Sequence, residues 1–245
     1  MSITELAEAT QSSEGSIVGL CRRFGAAGFQ EVKILLARDL VKPVQFIQED
    51  LQEGDTDERV CDIIFQAHAT TLTETRKLLS VKSISTAVEI LQKAERIDVY
   101  GIGSSTPIAI DLAFRLLQMG LPATAFIDPH IQVVNASRSS NRVAAITISH
   151  SGSTQETITA TRLAKEAGAR VIGITRLGKS PLQRYCDVVL CTVANETRYR
   201  PEAMSSRVAQ LAIIDALVSC CALANPKKAI ASLQKSSQVL AEKRI

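Results

Sequence analysis

The sequence predicts an α/β domain, a five-stranded parallel sheet with helices on both faces, preceded by a small all-α head. Three observations carry the sheet. The run Val143-Ala144-Ala145-Ile146-Thr147-Ile148 is short, β-branched and apolar, as a strand buried on both faces is, and the amphipathic stretch from Thr157 to Gly168 follows it. Arg96-Ile97-Asp98-Val99-Tyr100 is a second such strand, leading through Gly101-Ile102-Gly103-Ser104-Ser105 into the helical pattern Ile108, Leu112, Leu116. About 45 residues separate the two units, room for one strand and one helix, which Pro122 to Ile127 and Pro129 to Ala136 supply. In a flavodoxin-like order the first and third strands are neighbours at the topological switch point, and both loops open onto one crevice.

The loop Ser149-His150-Ser151-Gly152-Ser153-Thr154 gathers five hydrogen-bonding side chains beyond a strand's carboxyl end. Ser153-Thr154-Gln155-Glu156 reads as a capping box opening the next helix. Hydroxyls and backbone N–H groups at a helix N-terminus favour a small anion such as a phosphate ester. Helix capping accounts for Ser153 but leaves Ser149 and Ser151 unexplained.

Composition bounds the class. The chain has 245 residues, 46% of them apolar, no Trp, and no apolar run near the ~20 residues of a membrane span. Met1-Ser2-Ile3-Thr4-Glu5 has neither the basic start nor the apolar core of a signal peptide, so the expected location is the cytoplasm. Cys21, Cys61, Cys186, Cys191, Cys220 and Cys221 lack paired metal spacing, and His68, His130 and His150 are scattered, so neither metal nor cofactor is expected. A formal charge of +3 says little about partners.

On both loops, the chain resembles the sugar isomerase (SIS) domain, whose signature is G-x-G-[ST]-[ST] after the first strand and S-x-S-G-x-[ST] after the third. The resemblance continues through Ala169 to Thr175, Ser180-Pro181-Leu182, Asp187 to Leu190 and the late helix Ser206 to Leu217. It implies a phosphosugar site made of Ser104, Ser105, Ser149, Ser151, Ser153 and Thr154, with Ser206 or Arg207 contacting the sugar.

The first forty residues form a different module. Ser2-Ile3-Thr4-Glu5 is a capping box before Leu6-Ala7-Glu8-Ala9, and Thr10-Gln11-Ser12 is a polar turn. Ser13 caps a second helix in which Ile17, Leu20, Cys21 and Phe24 make one apolar stripe, opposite Ser16, Gly19, Arg22 and Arg23. Gly25 ends it, and Phe29, Val32, Leu35 and Leu36 continue into a third. Two short helices joined this way suggest a helix-turn-helix with Ser13 to Phe24 as recognition helix. The wording of Ile3 to Ala7, Ser13 to Gly25 and Gly28 to Lys33 is similar to the DNA-binding domain of RpiR-type transcriptional regulators, which carry a sugar isomerase domain behind it. Ser13, Ser16, Arg22, Arg23 and Lys33 are the expected DNA contacts. The family has further helices before the position of Ser2, so the resemblance implies an incomplete head, and Gly19 stands where the family usually has a basic residue.

Between the modules, Pro43 and the polar run Gln48 to Asp55 read as a hinge, and from Thr56 Val60, Ile63, Ile64, Ala67 and Thr71 mark a long helix. Ile84, Ala87, Val88 and Leu91 mark another, and Lys227 to Lys243 a basic amphipathic tail. The reading divides the chain into a head over 1–42, a hinge and linker helix over 43–83, the SIS domain over 84–226 and a C-terminal helix over 227–245.

Isomerisation of a sugar phosphate needs an acid–base pair, usually Glu and His. His150 lies between serines expected to take the inward positions, Glu156 belongs to the capping box, and Glu202 precedes the helix on which the resemblance puts a catalytic Glu. The expected protein is therefore a phosphosugar-responsive regulator without catalytic residues; the alternative is a sugar-phosphate isomerase using the same pocket. Its partners are a sugar phosphate, a double-stranded DNA operator and further copies of itself as homodimer or homotetramer, since an effector moves the heads only through differential affinity for two dimer geometries.

Overall fold

A computed structural model describes residues 3–23, 26, 28, 29, 31, 32, 51–194 and 204–241. It divides into two compact units, Met1–Glu49 and Asp50–Ile245.

In the first unit α1 (Ile3–Ala9) and α2 (Glu14–Arg23) pack around Ala7, Ile17 and Cys21, with Ile3, Leu6, Phe29 and Val32 at the margin. Gln11, at φ 50°, turns the chain out of α1, and the Ser12 N–H donates back to Ala7 O at 2.9 Å. Leu20 departs from the expected stripe: it is 53% exposed, because Ile17 and Cys21, four residues apart, already fill the contact with α1. Ser2, Phe24, Gly25, Leu35, Leu36 and the hinge before Leu51 lie outside the described residues.

The second unit runs α3 (Asp57–Leu78), α4 (Val81–Lys93), β1 (Arg96–Tyr100), α5 (Thr106–Gln118), β2 (Ala123–Phe126), α6 (Pro129–Ser137), β3 (Val143–Ile148), α7 (Gln155–Glu166), β4 (Arg170–Arg176), β5 (Val188–Thr192), α8 (Met204–Ala224) and α9 (Pro226–Ala241). All strand pairs are parallel, in the order β2-β1-β3-β4-β5, with Val99 beside Ile146 and Ile146 beside Ile172. Every residue of β3 is buried, as its unalternating apolar run requires. The order reverses direction between β1 and β3, so the loops after these two strands share the switch point.

One face of the sheet is covered by α4, α5 and α8 through Leu91, Leu112, Leu116, Ile213 and Leu217. The other is covered by α6 and α7 through Ala136, Ala160 and Ala164 around Tyr100, Ala145 and Val171. That second face holds a buried carboxylate: Asp98 accepts from Arg96 Nε at 2.8 Å and from Asn135 Nδ2 at 2.7 Å, which ties α6 to β1. Burial and the Asp98 charge push the neighbouring Tyr100 hydroxyl up in pKa, so it stays neutral.

The expectation of no apolar run near membrane length needs correction at α8, which with 21 residues is long and apolar enough. It is the core helix of the unit: Ala209, Ile213, Ile214, Leu217 and Val218 are buried, and Arg207 and Asp215 interrupt it. Its buried stripe packs on the sheet, while Arg207, Asp215 and Leu223 are exposed on its other side.

Candidate functional site

The hydroxyl loops meet at the carboxyl ends of β1 and β3. After β1, Gly101 turns so closely under the next helix that an added Cβ would stand 2.9 Å from both Ala109 Cβ and Ser105 O. A short 3₁₀ turn, Gly103–Ser105, then runs straight into α5. After β3, the Ser149 N–H donates to Ile174 O at 3.0 Å, and His150 O accepts from Arg176 N at 3.1 Å and Thr175 Oγ1 at 3.2 Å, so the loop hangs on β4. Gly152 sits at φ 61°, and a Cβ there would collide with Ser180 Oγ and approach Thr175 Oγ1 to 2.9 Å.

Between the loops lies a cleft of about 60 Å³, lined by Ile102, Ser104, Ser105, Ile148, Ser149, His150, Ser151, Thr154 and Thr157. It holds a group of a few heavy atoms, with any larger remainder outside its mouth. Five of the sequence-expected residues, Ser104, Ser105, Ser149, Ser151 and Thr154, are thus brought together. Ser153 is exposed and turned aside, its Oγ donating to Ser151 O at 3.3 Å. His150, expected to face outward, borders the cleft. Thr157 was missed; it stands one turn beyond Thr154, a spacing that could have found it.

The capping box is also corrected. The N-cap of α7 is Thr154, and its side chain makes no cap bond, because Ser153 is held in a turn by its N–H to Ser151 Oγ at 3.2 Å. At α5 neither Ser105 nor Ile102, which precedes the 3₁₀ turn, gives a side-chain cap. Five other α-helices are capped by a side chain: α2 by Ser13, α3 by Thr56, α4 by Ser80, α6 by Asp128 and α9 by Asn225. The two helix N-termini at the cleft therefore keep their first N–H groups clear of side-chain acceptors.

Two of the hydroxyls at the cleft have their oxygens steadied. Ser149 Oγ accepts the Gly152 N–H at 3.1 Å and Ser151 Oγ that of Ser153, which leaves each O–H proton to point elsewhere. Helices run back against parallel strands, so α8 also starts at this end of the sheet. Its first two turns bury Ser205, Ser206 and Gln210, and Ser205 Oγ and Gln210 Nε2 have no hydrogen-bond partner. Ser206 is fully buried, while Arg207 is exposed and lines a separate hollow of about 400 Å³ with His68, Pro107, Ile108, Asp111 and Met204. Glu202 lies outside the described residues. Among the described residues no group of three or more His, Cys, Asp or Glu could hold a metal ion.

In the first unit, Ser13 caps α2 by accepting the Ser16 N–H at 3.1 Å, and its Oγ lies 2.9 Å from Ser16 Oγ. Ser16, Arg22 and Arg23 are exposed along the same helix, and Lys33 lies outside the described residues. Nothing stands within 4 Å of where a Gly19 Cβ would be, so no close packing demands that glycine.

Residues 90–220 match the SIS domain family and residues 1–43 the helix-turn-helix domain, rpiR family. An uncharacterized HTH-type transcriptional regulator of Caldanaerobacter subterraneus is 34% identical over 245 residues, covering 100% of this chain and 87% of its own length. The HTH-type transcriptional regulator RpiR of Escherichia coli K12 is 29% identical, over 97% of this chain and 80% of its own. The solved NanR protein of Vibrio vulnificus, complexed with ManNAc-6P, is 32% identical with a TM-score of 0.73, covering 100% of this chain and 87% of that one.

Proposed function

The chain belongs to the RpiR family of helix-turn-helix transcriptional regulators, and we propose that its sheet unit senses a sugar phosphate while its head binds double-stranded DNA. The observation that carries the ligand reading is the contrast in capping: side chains satisfy the starts of α2, α3, α4, α6 and α9, while among the described α-helix starts the two at the cleft have none. A phosphate ester placed there takes O–H donors from Ser104, Ser105, Ser149, Ser151 and Thr154, with Ser153 at the rim, and backbone N–H groups from both helices. These are neutral donors, reinforced by helix dipoles, and among the described residues they recognise a small dianion without a basic side chain in the cleft.

The sugar then extends from the mouth of the cleft toward the exposed Arg207 at the start of α8, while the other expected contact, Ser206, is enclosed in that helix with Ser205 and Gln210. NanR, a relative solved with a phosphorylated amino sugar, supports this ligand class. On the head, Ser13 and Ser16 face base edges in the major groove, and Arg22, Arg23 and Lys33 contact phosphates, giving steeply salt-dependent binding. The protein works in the cytoplasm as a homodimer or homotetramer, because effector occupancy reaches the heads only by favouring one arrangement of subunits over another.

A thermal-shift screen of phosphorylated sugars, each beside its unphosphorylated parent, tests the ligand reading. The expected result is a rise in melting temperature with one or a few phosphorylated compounds and none with the parents. A protein stabilised equally by both forms, or by neither, contradicts a phosphate-directed cleft.

A further inference from the structure

The inner side of α3 carries polar residues where a packing helix is ordinarily apolar. His68, Thr71 and Thr75 fall at i, i+3 and i+7 on one face of the helix, and Thr71 and Thr75 are each 3% exposed. Thr75 accounts for its own place. Its Oγ1 accepts the Val193 N–H at 3.0 Å and donates to Val193 O at 3.3 Å, which pins α3 to the carboxyl end of β5. His68 stands two turns earlier, about 10 Å along the helix axis. It lines the hollow of about 400 Å³ between α3, α5 and α8, together with Pro107, Asp111, Arg207, Val208 and Leu211.

We propose that this hollow receives the sugar end of the effector and that His68 is the residue of α3 that selects it, an inference that rests on the reading of the neighbouring cleft as a phosphate site. The two spaces differ in size as the two ends of such a ligand do. The cleft of about 60 Å³ holds little more than the phosphate, whereas the hollow falls within the roughly 300–1,000 Å³ of small-molecule sites. They are also adjacent along the chain. Ser105 lines the cleft and Pro107 the hollow, and two residues span at most roughly 7 Å of backbone. One phosphorylated hexose reaches both.

The lining suits a sugar better than an apolar ligand or a second anion. A hexose ring has apolar C–H faces edged by hydroxyls, and the hollow sets Pro107, Val208 and Leu211 beside His68, Asp111 and Arg207. Asp111, bonded to Arg115 at 2.7 Å, accepts from hydroxyls, Arg207 donates to them, and an imidazole can do either. A site that hydrogen-bonds particular hydroxyls discriminates against sugars that place them elsewhere. α3 is also the first described helix after the residues that join the two units, so a sugar held against His68 bears directly on the linker.

Isothermal titration of the full chain with inorganic phosphate and with the 6-phosphates of glucose, mannose, fructose and N-acetylmannosamine, comparing wild type, His68→Ala, His68→Gln and Gln66→Ala, tests the proposal. Gln66, exposed on α3, is the control. The wild type should bind at least one of the sugars more than tenfold tighter than inorganic phosphate. His68→Ala should weaken that sugar roughly tenfold and narrow the differences among the sugars, His68→Gln should restore part of the loss, and inorganic phosphate should bind all variants alike. Circular dichroism matching the wild type identifies the variants that fold. A wild type that binds the sugars no tighter than inorganic phosphate overturns the hollow while leaving the phosphate cleft, and a folded His68→Ala with the wild-type ranking overturns the role of His68. If His68→Ala does not fold, hydrogen exchange of the wild type decides: residues 64–72 should gain protection with the preferred sugar and not with inorganic phosphate, and equal protection overturns the proposal. A chain that binds none of these compounds overturns the phosphate cleft as well.

Discussion

The two ends of one sheet make opposite kinds of hollow. At the carboxyl ends the cleft is about 60 Å³ and lined mainly by hydroxyl-bearing residues with His150, Ile102 and Ile148, and among the described residues no Lys or Arg is in its walls. At the amino ends a depression of about 390 Å³ is lined by Lys93, Arg142 and Arg170 together with Glu89 and Thr86. Size and positive charge alone would place an anion at the amino end. The cations there are already engaged or solvated, however: Arg142 lies 3.1 Å from Glu95 and Arg170 3.4 Å from Asp187, each with more than half of the Arg side chain exposed. The smaller cleft instead holds two helix starts whose N–H groups no side chain has claimed. Oriented donors, rather than net charge, distinguish the site from the surface.

The largest way to break this contrast is Gly152→Val. The residue needs a left-handed backbone and its Cβ has no space beside Ser180 and Thr175. Strain and overpacking together should cost roughly 2–4 kcal/mol of stability, read as a lower midpoint in urea unfolding, and abolish sugar-phosphate binding in the protein that still folds. A variant with wild-type stability would show that the loop is not braced by the β4–β5 connection.

Breaking the amino end should affect stability alone. Burial would raise the Asp187 carboxyl, but Lys165 Nζ at 2.7 Å, the Val171 N–H at 2.8 Å and Arg170 together hold it below its ordinary 3.8. A folded-state pKa that is depressed contributes stability fully above the unfolded value and loses it as pH falls through the lower folded one. Asp187→Asn should therefore cost about 1 kcal/mol at neutral pH, limited by solvent screening at Lys165, with the gap to wild type closing below about pH 4. Urea midpoints at stepped pH check this, and a gap that persists at pH 2 contradicts it. Sugar-phosphate affinity should stay unchanged.

Much of the contrast was legible in the sequence. β3 follows from a short apolar run and β1 from Ile97, Val99 and Tyr100 ahead of a hydroxyl loop, and the spacing between the hydroxyl loops left room for one crossover unit, which puts both loops at the switch point. What failed was local. Ser153 to Glu156 has the letters of a capping box, yet the helix starts at Gln155, because Gly152 in the left-handed region and the Ser151–Ser153 turn delay it by one residue. That shift turns a structural motif into an unsatisfied helix end, and sequence pattern cannot see it because it depends on the loop hanging from β4. Leu20 misled because a helical stripe states which residues share a face, not how many of them a small core can cover.

The central claim, that neutral oriented donors at the carboxyl ends bind the phosphate, is tested most directly by isothermal titration of one phosphorylated sugar that stabilises the wild type. Ser149→Ala and Ser151→Ala should each weaken it by roughly 1–3 kcal/mol while the fold is retained, and Arg142→Ala should leave it unchanged. Wild-type affinity in both serine variants, or a loss confined to Arg142→Ala, would move the site to the other end of the sheet and contradict the account.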